Sequence, residues 1–280
     1  MGGSLLSLAP PSPLAPPMPR LLLALVALAL PVAATAQTPA LDLWKAGQAA
    51  FGMFVPSEAP RGQPPRYTEA GARQLGGSPV LDYLFLNLEG GYDAEAVRAM
   101  VAGLTGGARR PTLLVRIPTI ADAGADSTRA RVKQLLALGA DGVVIPHVRS
   151  AQEARLAVSF LAEAGARVWS PAAPQGTVVA MLMIEDRGAV AELEAIATVP
   201  GYSLLSCGIG SLTRDMGGDA PGAEAACQRV RDAAHARGMP SMMTANQATM
   251  ADRIARGYRG LLLAGTQESA ESVIRGVRGR

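Results

Sequence analysis

The sequence predicts an α/β fold: a closed (β/α)8 TIM barrel forming a single domain behind an N-terminal leader. Eight short apolar runs alternate with helical patterns between Gln37 and Arg280, and buried parallel strands read as continuous apolar runs because both of their faces are covered. That span of about 244 residues is close to the typical size of an eight-stranded barrel. Two segments also echo each other, Ala137-Leu-Gly-Ala-Asp-Gly-Val-Val-Ile145 and Ala255-Arg-Gly-Tyr-Arg-Gly-Leu-Leu-Leu263. Both spell helix end, glycine turn and buried strand, the grammar of a repeated αβ unit. A doubly wound open sheet shares the alternation, but no Gly-x-Gly-x-x-Gly follows the first strand, and eight strands suit ring closure.

Residues 1–36 are predicted to be an N-terminal extension and secretory signal peptide. Met18-Pro-Arg20 precedes an apolar run, Leu21 to Leu30, and Ala34-Thr35-Ala36 supplies a small-x-small cleavage site before Gln37. Ten apolar residues are too few to span a bilayer. Met18 is read as the start and residues 1–17 as an extension; an uncleaved anchor is the alternative. The mature protein is expected in the periplasm or outside the cell, with no membrane attachment.

The strands are expected at Phe51–Val55, Tyr83–Leu88, Thr112–Ile117, Gly142–Val148, Val178–Ile184, Ser203–Cys207, Ser241–Thr244 and Gly260–Ala264. Residues Ala59 to Ser78, rich in Pro and Gly, read as a long irregular loop. Asp93 can cap a helix over Ala94–Leu104, and a second runs from Ser127 to a stop at Gly139. Ser150-Ala-Gln-Glu153 is a capping box opening a helix that ends at Gly165. Asp186 opens a helix with Val190, Leu193 and Ile196 inward. A longer helix, Ala223 to Arg237, is closed by Gly238.

Composition narrows the function. The chain of 280 residues is 49% hydrophobic and 18% charged with net charge +3, too apolar for disorder. Its charges are interspersed, with no basic block of the kind that binds nucleic acid. Two cysteines exclude a disulfide-rich scaffold and a four-thiolate zinc site. In an exported protein Cys207 and Cys227 could pair, but the default reading is two small buried residues.

In a parallel barrel the chemistry stands at the C-terminal ends of the strands. There the sequence places Glu89 after the second strand, Arg116 in the third, His147 after the fourth and Glu185 after the fifth. A charge inside Leu113-Leu-Val-Arg-Ile117, or after Met181-Leu-Met-Ile184, must be paired or must meet a ligand. Glu89 has a plainer reading, as the ion-pair partner of Arg116. Glu185 has one as a helix cap, a role that Asp186 fills better. His147 is one of two histidines; the other, His235, falls in a predicted helix. Gly208-Ile-Gly210 can present backbone N–H groups to an anion. The last loop, Ala264-Gly-Thr266, is a poor phosphate cradle, which disfavours a phosphate-handling barrel.

These segments, in this order, resemble the HpcH/HpaI aldolase and citrate lyase family over nearly the whole span from Gln37. The likeness rests on Leu81-Asp-Tyr-Leu-Phe-Leu-Asn-Leu-Glu89, Val115-Arg-Ile-Pro118, Leu136-Ala-Leu-Gly-Ala-Asp-Gly-Val-Val-Ile-Pro146 with Ser150-Ala-Gln-Glu-Ala154, Met183-Ile-Glu185, Val199-Pro-Gly201 and Gly208-Ile-Gly-Ser-Leu212. The resemblance implies an oligomeric barrel that uses a divalent metal (Mg, Mn or Co) to cleave carbon–carbon bonds in 2-oxo acids or related small carboxylates. It implies Arg116 as the group orienting the substrate, Glu185 as a metal ligand, and the backbone of Gly208, Gly210 and Ser211 as the carboxylate holder. Gly90 stands where the family has its basic histidine, and Ser211, a poor ligand for a hard cation, where it has a second metal carboxylate. His147 is the expected replacement base, since an imidazole is suited to proton transfer near neutral pH. A non-catalytic barrel that only binds carboxylates is the alternative.

Overall fold

The computed structural model describes residues 1–3, 39–107 and 109–279. The chain divides into two units, of which the second runs from Ala36 to Arg280. The predicted leader lies almost wholly outside the described residues. None of the described helices is long and apolar enough to cross a membrane.

The second unit is a closed barrel of eight parallel strands in sequential order. They are β1 (Ala50–Phe54), β2 (Tyr83–Asn87), β3 (Thr112–Arg116), β4 (Gly142–Ile145), β5 (Val179–Ile184), β6 (Leu204–Cys207), β7 (Ser241–Ala245) and β8 (Gly260–Leu263). The helices are α1 (Pro39–Lys45), α2 (Glu69–Gly76), α3 (Ala94–Leu104), α4 (Ile120–Ala123), α5 (Ala125–Ala137), α6 (Ala151–Glu163), α7 (Arg187–Ala191), α8 (Leu193–Ala197), α9 (Ile209–Asp215), α10 (Ala220–His235), α11 (Met250–Ala255) and α12 (Gln267–Arg278).

All eight predicted strands are present, and two cores explain why. One fills the lumen with Tyr83, Phe85, Leu114, Met181, Met183 and their layer-mates. The other lies between sheet and helices, with Leu84, Leu113, Val143 and Leu182 among its members. Alternate residues of one strand thus serve both, and each strand is apolar throughout. Helix α1 closes the bottom of the lumen. Its Trp44 ring lies 5.8 Å from that of Tyr83, and its indole N–H donates to the Arg259 carbonyl at 2.8 Å.

The bottom rim is stitched by polar side chains. Asp82 accepts from the Phe51 N–H at 2.8 Å and from Arg109 at 2.6 Å. Asp141 accepts from the Leu113 N–H at 2.7 Å and from Arg110 at 2.6 Å. Burial pushes the Asp141 carboxyl above the usual range, against the downward pull of Arg110. Within the helical layer, Asp93, Ser150 and Asp186 cap α3, α6 and α7 as predicted.

Four expectations are corrected. The stretch 59–78 contains α2, capped by Thr68; this short, glycine-bearing segment is held by packing on α3, where a Cβ on Gly103 would meet the Glu69 carbonyl at 2.3 Å. The helix expected after Asp186 is two short helices meeting at Glu192. Strand β4 stops at Ile145 instead of Val148, because Pro146 has no N–H to continue the ladder. Finally, Cys207 and Cys227 form a disulfide, with Cα atoms 5.3 Å apart, and both residues are buried.

The disulfide links the end of β6 to α10 across 20 residues. Closing a loop of that length restricts the unfolded chain by about 3 kcal/mol. Cys207→Ser/Cys227→Ser protein should therefore unfold at lower denaturant concentration by about that free energy, as read by urea titration of the far-ultraviolet circular dichroism.

Candidate active site

The register of the strands places the functional side chains. Lumen-facing residues alternate, so Arg116 follows Leu114 in facing inward, and Glu185 follows Met181 and Met183. Arg116 pairs in register with Asn87 on one side and Val144 on the other. The chain then rises from β2 to Glu89, whose own N–H donates to the Asn87 side chain at 3.3 Å. Glu89, Arg116, His147 and Glu185, separated by up to 96 positions in sequence, meet at one mouth.

Arg116 is the centre of the group. Its Nη2 donates to Glu89 Oε1 at 2.6 Å and to Glu185 Oε2 at 2.7 Å. The guanidinium and the Glu185 carboxylate are buried, while Glu89 and His147 are half-buried. Its Nε is buried with no acceptor among the described residues. A buried donor without a partner is costly. Two carboxylates against one guanidinium leave the cluster negative when the imidazole is neutral. Burial is the largest influence on the Glu89 carboxyl and pushes its pKa up. Arg116 and His147 oppose that shift, whereas Glu185 and Asp122 add to it.

His147 brings its Nε2 to 3.5 Å from Glu89 Oε1 and 3.6 Å from Glu185 Oε2. Its φ is +50°, the one left-handed non-glycine residue among the described residues. Such a conformation costs about 1–2 kcal/mol, and strain of this kind collects at functional sites. Here it follows Pro146, and it ends at Val148, whose N–H donates to the Met183 carbonyl at 3.0 Å. The turn also aims the His147 N–H at Glu185 Oε2, 3.3 Å away.

The glycine loop after β6 works differently from expectation. The Gly208 N–H is committed to the Ile184 carbonyl at 3.0 Å. What Gly208 supplies is space: a Cβ there would lie 2.3 Å from Glu185 Oε1. Gly210 and Ser211 lie in the first turn of α9, whose leading N–H groups have no intrahelical partner.

A cavity of about 680 Å³ opens above the cluster, lined by Glu89, His147, Glu185 and Ser211 and rimmed by charged residues. The rim residues Arg149, Arg187 and Arg214 were not identified in the sequence. Arg149 pairs with Asp186 and Arg187 with Asp215, each at 3.3 Å. All three are exposed, Arg149 on a loop, Arg187 at the start of α7 and Arg214 in α9, and exposed charges are ordinary, so nothing in the sequence separates them. Asp122, held at 2.7 Å by the Thr119 hydroxyl, completes the wall beside Glu89.

The mouth of this TIM barrel thus gathers a carboxylate pair, a guanidinium and an imidazole, groups able to bind ions and to move protons. The chain belongs to the HpcH/HpaI aldolase/citrate lyase family, whose model matches residues 72–263. A 4-hydroxy-4-methyl-2-oxoglutarate aldolase of Chaetomium globosum is 32% identical over 167 residues, 51% of this chain and 58% of that protein. The match thus spans less than two thirds of that relative. Among solved structures, an HpcH/HpaI aldolase/citrate lyase family protein from Burkholderia cenocepacia superposes with a TM-score of 0.66 at 19% identity, covering 87% of this chain and 97% of that one. An HpcH/HpaI aldolase from Desulfitobacterium hafniense gives 0.65 at 23% identity, covering 85% and 95%. At such identities the superpositions speak for the fold alone. Family membership and the aldolase relative support a carbon–carbon lyase type of function.

The fit between Gly208 and Glu185 is testable. Gly208→Ala should displace the Glu185 carboxylate and break its bond to Arg116, while leaving the barrel folded. A crystal structure of the variant with the Arg116–Glu185 contact intact would contradict this reading of the glycine.

Proposed function

We propose that this chain is an exported carbon–carbon lyase that cleaves a small 2-oxo acid, or a related carboxylate, with help from a divalent metal. The observation that carries the reading is the cluster at the mouth: the Arg116 guanidinium is buried between two carboxylates, and Glu89, His147 and Glu185 line the open cavity. The fit of a metal is supported by the donor chemistry: Glu89, His147 and Glu185 each offer a ligand atom, all within 4.8 Å of one another. Glu185 is the anchor, and a metal bound there would polarise the substrate's 2-oxo group.

Aldol cleavage of a 4-hydroxy-2-oxo acid has simple demands. A base takes the hydroxyl proton, the C3–C4 bond breaks to release an aldehyde or ketone, and the electron pair passes to the remaining 2-oxo acid as its enolate. Protonation at C3 then completes the reaction. Arg116 orients the substrate carboxylate by its positive charge and stabilises the developing enolate. Gly210 and Ser211 can donate backbone N–H groups to the same carboxylate. Proton transfer is assigned to the His147–Glu89 pair, whose polar atoms lie 3.5 Å apart. A homo-oligomer is part of the proposal, on the family's habit alone.

A second reading keeps binding without turnover, and the family histidine's replacement by Gly90 favours it. One experiment separates the two. With Mn²⁺ present, the protein should catalyse exchange of the pyruvate methyl protons with deuterium, and Arg116→Lys should reduce the rate by roughly a hundredfold. A built Cβ on Gly90 meets nothing within 4 Å, so Gly90→His should fit and should raise the exchange rate. Pyruvate binding without exchange in either protein would leave a binding barrel.

Export rests on the segment from Met18 to Ala36. Protein recovered from its native host should begin at Gln37 by amino-terminal sequencing; an intact leader on cytoplasmic material would remove this part of the proposal.

A further inference from the structure

We propose that Glu89, His147 and Glu185 form a mixed nitrogen–oxygen metal centre, and that this centre selects cobalt or zinc over magnesium. The inference rests on the metal-assisted reading above and revises one part of it: His147 and Glu89 serve as ligands to the ion instead of as the proton-transferring pair.

Three strand ends, those of β2, β4 and β5, deliver the donors. Each residue retains a ligand atom that no hydrogen bond occupies among the described residues. Arg116 takes Glu89 Oε1 and Glu185 Oε2, which leaves Glu89 Oε2, Glu185 Oε1 and the His147 ring. Glu185 Oε1 lies beside Gly208, where the missing Cβ keeps space open. The imidazole is delivered by a left-handed backbone, and strained conformations of that kind collect at functional sites. The cluster's negative charge calls for a cation beyond Arg116.

The donor set decides which ion. Magnesium prefers oxygen ligands in a near-octahedral shell and keeps several waters. Imidazole nitrogen suits zinc, cobalt and nickel, and affinity at a given N/O site rises along the first-row divalent series. Ser211, in the same cavity, contributes a neutral hydroxyl, and the cavity's other carboxylates are engaged elsewhere, Asp122 by Thr119, Asp186 by Arg149 and Asp215 by Arg187.

The test uses the metal ions alone, on the full protein without substrate. Isothermal titration should give cobalt and zinc affinities at least about tenfold above magnesium. The chain has two histidines, so in a long-range ¹H–¹⁵N spectrum zinc should shift the His147 imidazole resonances and leave those of His235 in place. His147→Gly, which suits the left-handed backbone, should cost cobalt affinity roughly tenfold or more with magnesium affinity little changed. Equal affinities for magnesium and cobalt, an unshifted His147 ring, or full cobalt affinity in His147→Gly would each overturn the proposal. Failure of the lyase reading looks different: metals bind with this preference, and pyruvate does not exchange.

Discussion

The mouth of this barrel depends on one buried cation. Arg116 sits between Glu89 and Glu185, and its charge lets two carboxylates share a partly desolvated rim. The energetics of such a cluster favour completeness. Removing one partner of a buried ion pair leaves an uncompensated charge at a cost of about 3–5 kcal/mol, so Arg116, Glu89 and Glu185 stand or fall together. Closure of the sheet makes the arrangement possible, because it brings strand ends from distant parts of the chain to one rim.

At the bottom, Asp82, Asp141 and Ser203 tie strand starts to neighbouring backbone and have their partners in place: Ser203 accepts from the Ala180 N–H at 2.9 Å and donates to the Trp169 carbonyl at 2.6 Å. At the top, Arg116 Nε and the His147 ring are left with unused hydrogen-bonding capacity. Orphaned groups are not confined to the mouth, however: the Tyr83 and Ser241 hydroxyls, at the starts of β2 and β7, also lack partners among the described residues. Two of the segments that carry the family likeness, those around Asp82 and Asp141, report on the scaffold as much as on the chemistry.

Much of this was legible in the sequence, for physical reasons. Strands buried on both faces leave continuous apolar runs, and all eight were found. A charge embedded in such a run has few harmless explanations, so Arg116 and Glu185 stood out. What stayed hidden depended on tertiary contact. Helix α2 has a weak local signal and forms against α3. The break at Glu192 interrupts what reads as one periodic stretch. The left-handed turn at His147 leaves no compositional trace, since histidine elsewhere takes ordinary backbone. The Gly208 N–H looked available because the sequence does not reveal that Ile184 claims it.

The bridge between Cys207 and Cys227 gives the loop beyond β6 a property that packing alone would not. It encloses Gly208, α9 and the first half of α10 in a covalent ring. A single proteolytic cut inside that ring leaves both ends fastened to the barrel. The wall bearing Gly210, Ser211 and Arg214 can thus be nicked without being lost, a tolerance that an unbridged loop at the same place would lack.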